Sequence, residues 1–498
     1  MRLHDRQFCF APRSTPTPDA TWPETPFPGG MALRRSPDLP VVHARTTDGE
    51  PVALVGDAYQ SAAGEPSPRD CIAASRLDDL PRRYASWTGR WALLSAREVH
   101  LDAAGLLSVF YPDPERRRGR MVVSSSPSLL HAALDPEPSD ELADELVYEV
   151  GLDFYVGPRT RSPLVRRLSP SQILRIDPAA GRCEPIPRPI LRSIDPDADY
   201  ARLRERILDN LTRTAAAAGR GKSAIFLPLT AGYDSRLLLA VALKAGLAFE
   251  TYTMLYGSDE TKPDFEIARR LARLAGVRHV LLRPRDEDPA LSALWRSHTL
   301  GHAEGADRSF MSRGQWSAFP KGALILRGGG FEVGRCFYHH VLPASAGGSF
   351  EALVEQIRSR MIPWPLRRRQ KTTLRGLRLW AAQARAAEGG AADLRDVFYL
   401  EQRLGAWLSS VEQGLDLTGT ERLHLSNSDD LFSLLLSLPI ETRRASRHHV
   451  DMVRDVFPPL AEIPFNPAQE RRSRLSRKSA RLRRHAAAAA FGLLGVRM

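Results

Sequence analysis

At 498 residues, 43% of them apolar, the chain can bury a sizeable core and is long enough for two or three domains. Its longest apolar candidate, Ala486 to Leu494, is too short for a membrane span of roughly 18 to 20 residues, and its opening, MRLHDRQFCFAP, is charged and then proline-rich, unlike a secretory leader. Four scattered cysteines (Cys9, Cys71, Cys183, Cys336) without a CxxC pair indicate neither a disulfide framework nor a zinc site and point to a reducing cytoplasm, while the net charge of +12 comes almost wholly from arginine.

In chain order, residues 11 to 40 are rich in Pro, Ser and Thr and read as loop or extended segment. From Val41 to about Asp177 the pattern is one of short strands. VVHARTTDGEPVALVGDAY predicts a hairpin turning at Asp48-Gly49. RWALLSAREVHLDAAGLLSVFYPD gives two or three more strands, and RMVVSSS another. DELADELVYEVG predicts a helix with Asp140 at its start, and RRLSPSQILRIDPAAGRCEPI a closing strand pair.

From Tyr200 the character changes. A helix over 201–217 leads to the strand SAIFLPL, a turn, and the helix DSRLLLAVALKAG. A strand FETYTMLY, a helix DFEIARRLARLAG and a strand RHVLLRP follow. Strands alternating with helices predict a parallel sheet with helices on its faces. GALILRGGG is a later strand ending in glycines, and beyond Phe350 the pattern is mostly helical. The fold class expected is α/β in two domains, 1–192 and 193–498, divided in the segment RPILRSIDPDADY.

The joint LPLTAGYDSRLLLA, residues 227–240, raises a chemical question. Thr230, Ala231 and Gly232 are small enough to let backbone N–H groups approach an anion, and the helix that follows adds its dipole. Thr230 and Ser235 add hydroxyls. Asp234 would repel a bare phosphate, but not one that carries Mg²⁺. The stretch therefore favours an ATP-Mg²⁺ site, although it lacks the GxxxxGK[ST] of a Walker loop. The alternative is an ordinary strand-to-helix turn capped by Asp234 and Ser235.

The same stretch resembles the SGGxDS pyrophosphate loop of the ATP-pyrophosphatase (PP-loop) superfamily, and most closely its asparagine synthetase branch, with Thr230 and Ala231 in place of Ser and Gly. YTMLYGSDETKPDFEIARRLARLAGVRHVLL is similar to that family's second strand, acidic Pro-Asp turn and helix. The resemblance implies a nucleotide site formed by Leu229, Thr230, Ala231, Gly232, Tyr233, Asp234 and Ser235, with Leu229 and Met254 lining the adenine. ILRGGGFEVGRCFY is similar to the family's SGEGSDE segment. Gly328 and Gly330 match and Arg327 replaces Ser, so Arg327, Gly328 and Gly329 join the nucleotide site. Glu332 then stands with Asp234 as a Mg²⁺ ligand. ERLHLSNSDDLFSLLLSLPIETRR resembles the family's next conserved region, with His424 and Asn427 departing from Pro and Asp. This makes Glu421 a catalytic carboxylate by resemblance, against the alternative of a helix-surface Glu. Lys478 is the last of six lysines and sits among eight cationic side chains between Arg471 and Arg484. Related synthetases use a late lysine near the phosphates, which makes Lys478 a catalytic candidate. The alternative is a solvated basic run.

The amino-terminal half is similar to the family's glutaminase domain, an αββα N-terminal-nucleophile (Ntn-hydrolase) sandwich. LVGDAY, LDAAGLLSVFY, VVSSSPSLL and RRLSPSQILRI carry that likeness. A working glutaminase needs a cysteine at its mature N-terminus, whose α-amine is the base. Position 2 is Arg2, and Cys9 lies inside RQFCFAP. The first half is therefore expected to be structural, as in β-lactam synthetase and lasso-peptide macrolactam synthetases.

The resemblance implies an AMP-forming, ATP-dependent amide synthetase that uses ATP and Mg²⁺ and no glutamine. Its partners would be a small-molecule or peptide carboxylate, an amine, and a partner protein or precursor peptide. Neither a membrane nor nucleic acid is expected: the arginine excess reads first as a GC-rich coding bias, and no zinc finger, RNA-binding aromatic motif or lysine-rich tail accompanies it. The competing readings are an ammonia-dependent asparagine synthetase, a PP-loop protein acting on tRNA, and a catalytically silent family member.

Overall fold

The computed structural model describes the chain except residues 17–18, 117–120, 143–151, 153, 189–192, 256–261, 304, 363–370, 388–391 and 467–498. The first half holds strands β1 (Phe8–Pro12), β2 (Glu24–Pro26), β3 (Met31–Arg35), β4 (Val41–Arg45), β5 (Pro51–Gln60) and β6 (Trp87–Ser95). It continues with β7 (Glu98–Leu101), β8 (Phe110–Pro112), β9 (Val123–Ser124), β10 (Val165–Arg167), β11 (Gln172–Asp177) and β12 (Arg182–Pro187). They form two six-stranded antiparallel sheets, ordered β10-β8-β9-β1-β3-β2 and β12-β11-β7-β6-β5-β4.

Side-chain alternation stacks these sheets. In β1, Phe8 and Phe10 meet Ala53 and Val55 of β5 and Leu101 of β7 between the sheets. Cys9 and Ala11 point the other way, onto Leu129 and Leu130 of helix α3 (Pro127–Ala133). Val52 and Leu54 of β5 turn outward to helices α1 (Pro68–Ala73) and α2 (Leu80–Arg83). The period of two thus yields four layers: helix, sheet, sheet, helix. The β4–β5 hairpin turns at Asp48-Gly49, with Gly49 at φ +83°. Residues 11–40 are more ordered than their composition predicts, because β2 and β3 add to the edge of β1. The helix expected over 140–151 lies almost entirely outside the described residues, as does the proposed 192/193 boundary.

The second half follows the expected alternation: α4 (Tyr200–Gly219), β13 (Ile225–Pro228), α5 (Tyr233–Lys244), β14 (Glu250–Met254), α6 (Lys262–Leu274) and β15 (His279–Leu282). With β16 (Leu324–Arg327) and β17 (Glu421–His424) they form a five-stranded parallel sheet ordered β15-β14-β13-β16-β17. Strand β17 corrects the helical reading of its segment. Leu423 is a core residue, and Arg422 and His424 are buried by ionic partners rather than by apolar contact. Among the described residues, no helix is long and apolar enough to cross a membrane.

A buried ionic chain joins the halves. Asp416 accepts hydrogen bonds from Arg90 of β6 and Gln7 ahead of β1, and from Arg422 of β17. Asn427 donates to Gly89 O and to Asp102 Oδ1 at 2.8 Å, and Arg188 donates to Asp429 at 2.9 Å. Burial alone would raise the Asp416 and Glu412 carboxyls; Arg90 and Arg422 beside the first, and Arg327, His424 and Arg422 around the second, hold both below their ordinary values. The folded state therefore binds fewer protons at these groups than the unfolded chain does. Their stabilisation is full above the ordinary values of 3.8 and 4.5 and is lost as pH falls through the depressed folded values. Asp416→Ala should destabilise the protein by about 3–5 kcal/mol, since it leaves arginines buried without a counter-charge. Thermal melts at neutral pH check the loss, and melts below pH 4 should show a smaller gap between wild type and variant.

Candidate functional site

The chain leaves β13 toward β14 and β15, then crosses back to place β16 on the other side of β13. Such a reversal opens a crevice at the carboxyl ends of the two strands, because their following loops diverge. Two loops meet there, residues 229–235 after β13 and 328–332 after β16. A Cβ on Gly328 would stand 3.2 Å from Asp234 Cβ, a tight contact that glycine avoids where the loops approach.

The first loop is held by its own side chains. Thr230 N donates to Ser235 Oγ at 3.1 Å, Gly232 N to Thr230 Oγ1 at 3.1 Å, and Ala231 N to Asp264 Oδ1 at 3.2 Å. Gly232 caps α5 without a side chain, so no side chain caps the first-turn amides of Tyr233, Asp234 and Ser235. Leu229 is fully buried, its carbonyl bonded to Thr253 Oγ1, and Met254 ends the neighbouring strand half-buried.

The second loop brings the acid. Glu332 Oε2 accepts from Gly330 N and from Tyr399 Oη, both at 2.9 Å. Gly330 sits at φ +98°, a conformation that favours glycine and lets its amide face the carboxylate. Tyr399 begins a π-helical stretch, Tyr399–Leu408, whose wide turn aims the phenol inward. Gly329 O accepts from Ser426 Oγ at 2.9 Å and lies 3.2 Å from His424 Nδ1, which ties the glycine turn to the end of β17. Arg327 closes β16, lies over the Trp316 ring and is 3.4 Å from Glu412; its Nη1 has no hydrogen-bond partner.

Asp234 and Glu332 share one electrostatic environment. Burial raises Glu332, and the charge of Asp234 raises it further. Burial raises Asp234 too, partly offset by Arg335, which donates to Oδ2 at 2.6 Å. Asp234 Oδ1 is buried and unpaired, with His449 Nε2 3.0 Å away but outside hydrogen-bonding geometry. Burial, then Arg335, hold His449 in its neutral form. The Asp234 and Glu332 carboxylates repel each other, and a divalent cation bound with phosphate would relieve that repulsion and give Oδ1 a partner. Arg335 already neutralises Oδ2, so Oδ1 is the oxygen left for that ion.

Thr230 through Ser235, Arg327, Gly328, Gly329 and Glu332 thus lie at one end of the sheet. Glu421 does not. The register pairs Leu324 with Glu421 and Arg327 with His424, so Glu421 sits at the amino end of its strand, about 10 Å from the crevice edge at some 3.3 Å per residue. There it pairs with Lys222. This places Glu421 at the opposite edge of the sheet from Asp234 and Glu332. Lys478 lies outside the described residues. Sequence reasoning missed Arg335, Tyr399 and His449, and gave His424 and Asp264, which stand in the quoted segments, no role. Arg335 carried a signal, three positions after Glu332; Tyr399 and His449 come from distant helices with no motif of their own. In the first half, Cys9 is buried in β1, and burial pushes its thiol up to about 12, so it is no nucleophile.

No family model matches the chain, and no curated protein does. Among solved structures it is similar to the NMN synthetase from Francisella tularensis at 12% identity and a TM-score of 0.20, covering 42% of this chain and 94% of that one. It is also similar to the glutamine-dependent NAD+ synthetase from Acinetobacter baumannii in complex with adenosine diphosphate, at 13% identity and a TM-score of 0.21. That alignment covers 58% of this chain and spans 59% of the neighbour's length. Likeness at this level bears on neither activity nor substrate.

The two acids provide a paired test. Glu332→Gln should weaken Mg²⁺-ATP binding by about ten- to a hundredfold in calorimetry, the range found when a metal site loses an anchoring group. Glu421→Gln should leave that affinity unchanged. Equal losses in both variants would return Glu421 to the site.

Proposed function

We propose that the chain is an ATP-dependent, AMP-forming amide synthetase of the PP-loop, asparagine-synthetase-like type, with a first half derived from a glutaminase but without its chemistry. The observation that carries this reading is the convergence of Asp234 and Glu332 at the crevice between β13 and β16, beside the open start of α5. An anion site with two facing acids suits a triphosphate bound with its cation better than a bare anion.

In this reading a carboxylate oxygen of the substrate attacks the α-phosphorus of ATP, and the bond to pyrophosphate breaks. An amine then attacks the acyl carbon and AMP leaves. Amides of Tyr233, Asp234 and Ser235 receive the leaving pyrophosphate, with the Thr230 and Ser235 hydroxyls released from each other to join them. Asp234 and Glu332 would hold Mg²⁺, which neutralises phosphate charge. Tyr399 fixes the Glu332 carboxylate through one oxygen and leaves the other free. Arg327, whose buried Nη1 is ion-paired with Glu412 but makes no hydrogen bond among the described residues, offers charge to the adenylate phosphate or to the substrate carboxylate. In this reading the amine arrives with the substrate or from solution, since Cys9 is buried in β1.

Pyrophosphate release from ATP, measured over a panel of amino acids and peptides, tests the reading. Activity with at least one carboxylate is expected, and Asp234→Asn should reduce it by about 10² or more. Glutamine should yield no glutamate above a buffer control. A silent panel together with no Mg²⁺-ATP binding would refute the assignment.

A further inference from the structure

One buried cation lies behind the first loop, outside the roles given so far. Arg236, one turn into α5, is fully buried. Among the described residues it has no carboxylate partner. Its Nη1 donates to Leu460 O at 3.0 Å and to Ile463 O at 2.5 Å, and its Nη2 donates to Pro464 O at 3.1 Å and to Ala231 O at 3.3 Å. The guanidinium lies 3.7 Å from the centre of the Phe465 ring, which stacks on Tyr233 at 4.8 Å and 11°. Asn466 N then donates to the same Ala231 O at 3.1 Å, with Asn466 itself at φ +44°. A strap of chain, residues 460–466, is thus bound to the loop by the Arg236 fork, by the Phe465–Tyr233 stack and by the Asn466 amide.

Among the described residues Arg236 is buried against carbonyls and a ring, an arrangement in which no counter-charge offsets the desolvation cost. Burial lowers it only to about 10, so it is cationic at neutral pH. A purely mechanical tie would not need that charge. We infer that Arg236 is a positioning residue of the pyrophosphate loop: it couples the 460–466 strap to Ala231 and presents an uncompensated positive charge to an anion bound on the loop's other face. The inference rests on the proposed reading of this loop as a pyrophosphate site. Its planar fork matters as well as its charge, because four carbonyls are reached at once and a lysine ammonium could not span them over the Phe465 face.

The full-length chain provides the test, with Arg236→Met removing charge and fork and Arg236→Lys restoring the charge alone. Two readouts apply: calorimetric binding of inorganic pyrophosphate with Mg²⁺, and amide hydrogen exchange of peptides covering residues 227–236 and 457–466 in ligand-free protein. Arg236→Met should bind pyrophosphate about tenfold more weakly or worse, and both peptides should exchange faster together. Arg236→Lys should recover part of the affinity while the strap remains loosened. If Arg236→Met does not fold, Phe465→Leu, which leaves charge and fork but strips the stack, should loosen both peptides and cost less pyrophosphate affinity than Arg236→Lys does. Faster exchange confined to 457–466, with loop exchange and pyrophosphate affinity unchanged, would overturn the inference. Wild-type protein that binds no pyrophosphate, with both peptides still loosened together in Arg236→Met, would sink the ATP reading and leave the coupling standing.

Discussion

Everything in this protein depends on keeping two carboxylates ionised without water. Asp416 and Glu412 are fully buried, and each is ionised only because arginines from several parts of the chain surround it. The chain of pairs starts with Asp57 and Arg6 near the first strand, passes through Arg90, Asp416, Arg422 and Glu412, and ends on Arg327 and His424. Such a network costs desolvation energy that apolar packing would not, so it is poor glue by energy alone. What it supplies is geometry: each charge admits few positions for its neighbour. The last members, Arg327 and His424, stand at the carboxyl ends of β16 and β17, so the orientation of the site is fixed from inside the first half.

The candidate site is then assembled from two loops at the reversal of strand order, each closed by its own hydroxyls or amides. Distant helices finish it. Tyr399 and His449 reach Glu332 and Asp234 from segments that share no sequence neighbourhood with the loops. The loops offer the groups, and the helical additions after Phe350 hold them in place.

This division explains what the sequence disclosed. TAGYDS and GGGFE are local: a strand end, small residues and an acid within a few positions, legible because sheet alternation and turn chemistry act over short range. The βαβαβ order was legible for the same reason. Strands β2 and β3 were hidden because prolines mask pairing to a partner far along the chain, here β1. The position of Glu421 was not legible, because a motif gives spacing and not register; only the pairing of Leu324 with Glu421 shows which edge of the sheet it occupies. Arg236 was invisible as a feature, since an arginine in an amphipathic helix ordinarily faces water, and only the folded-back strap buries it.

Strand β17 ends the parallel sheet, and β6 of the first half lies against it, with Asn427 bonded to the backbone of Gly89. An outermost strand presents a row of unsatisfied backbone donors and acceptors, which invites pairing with another copy and, at length, aggregation. The first half shields that row. That makes the first half a guard for the sheet, so a chain reduced to its parallel-sheet half would be limited first by solubility.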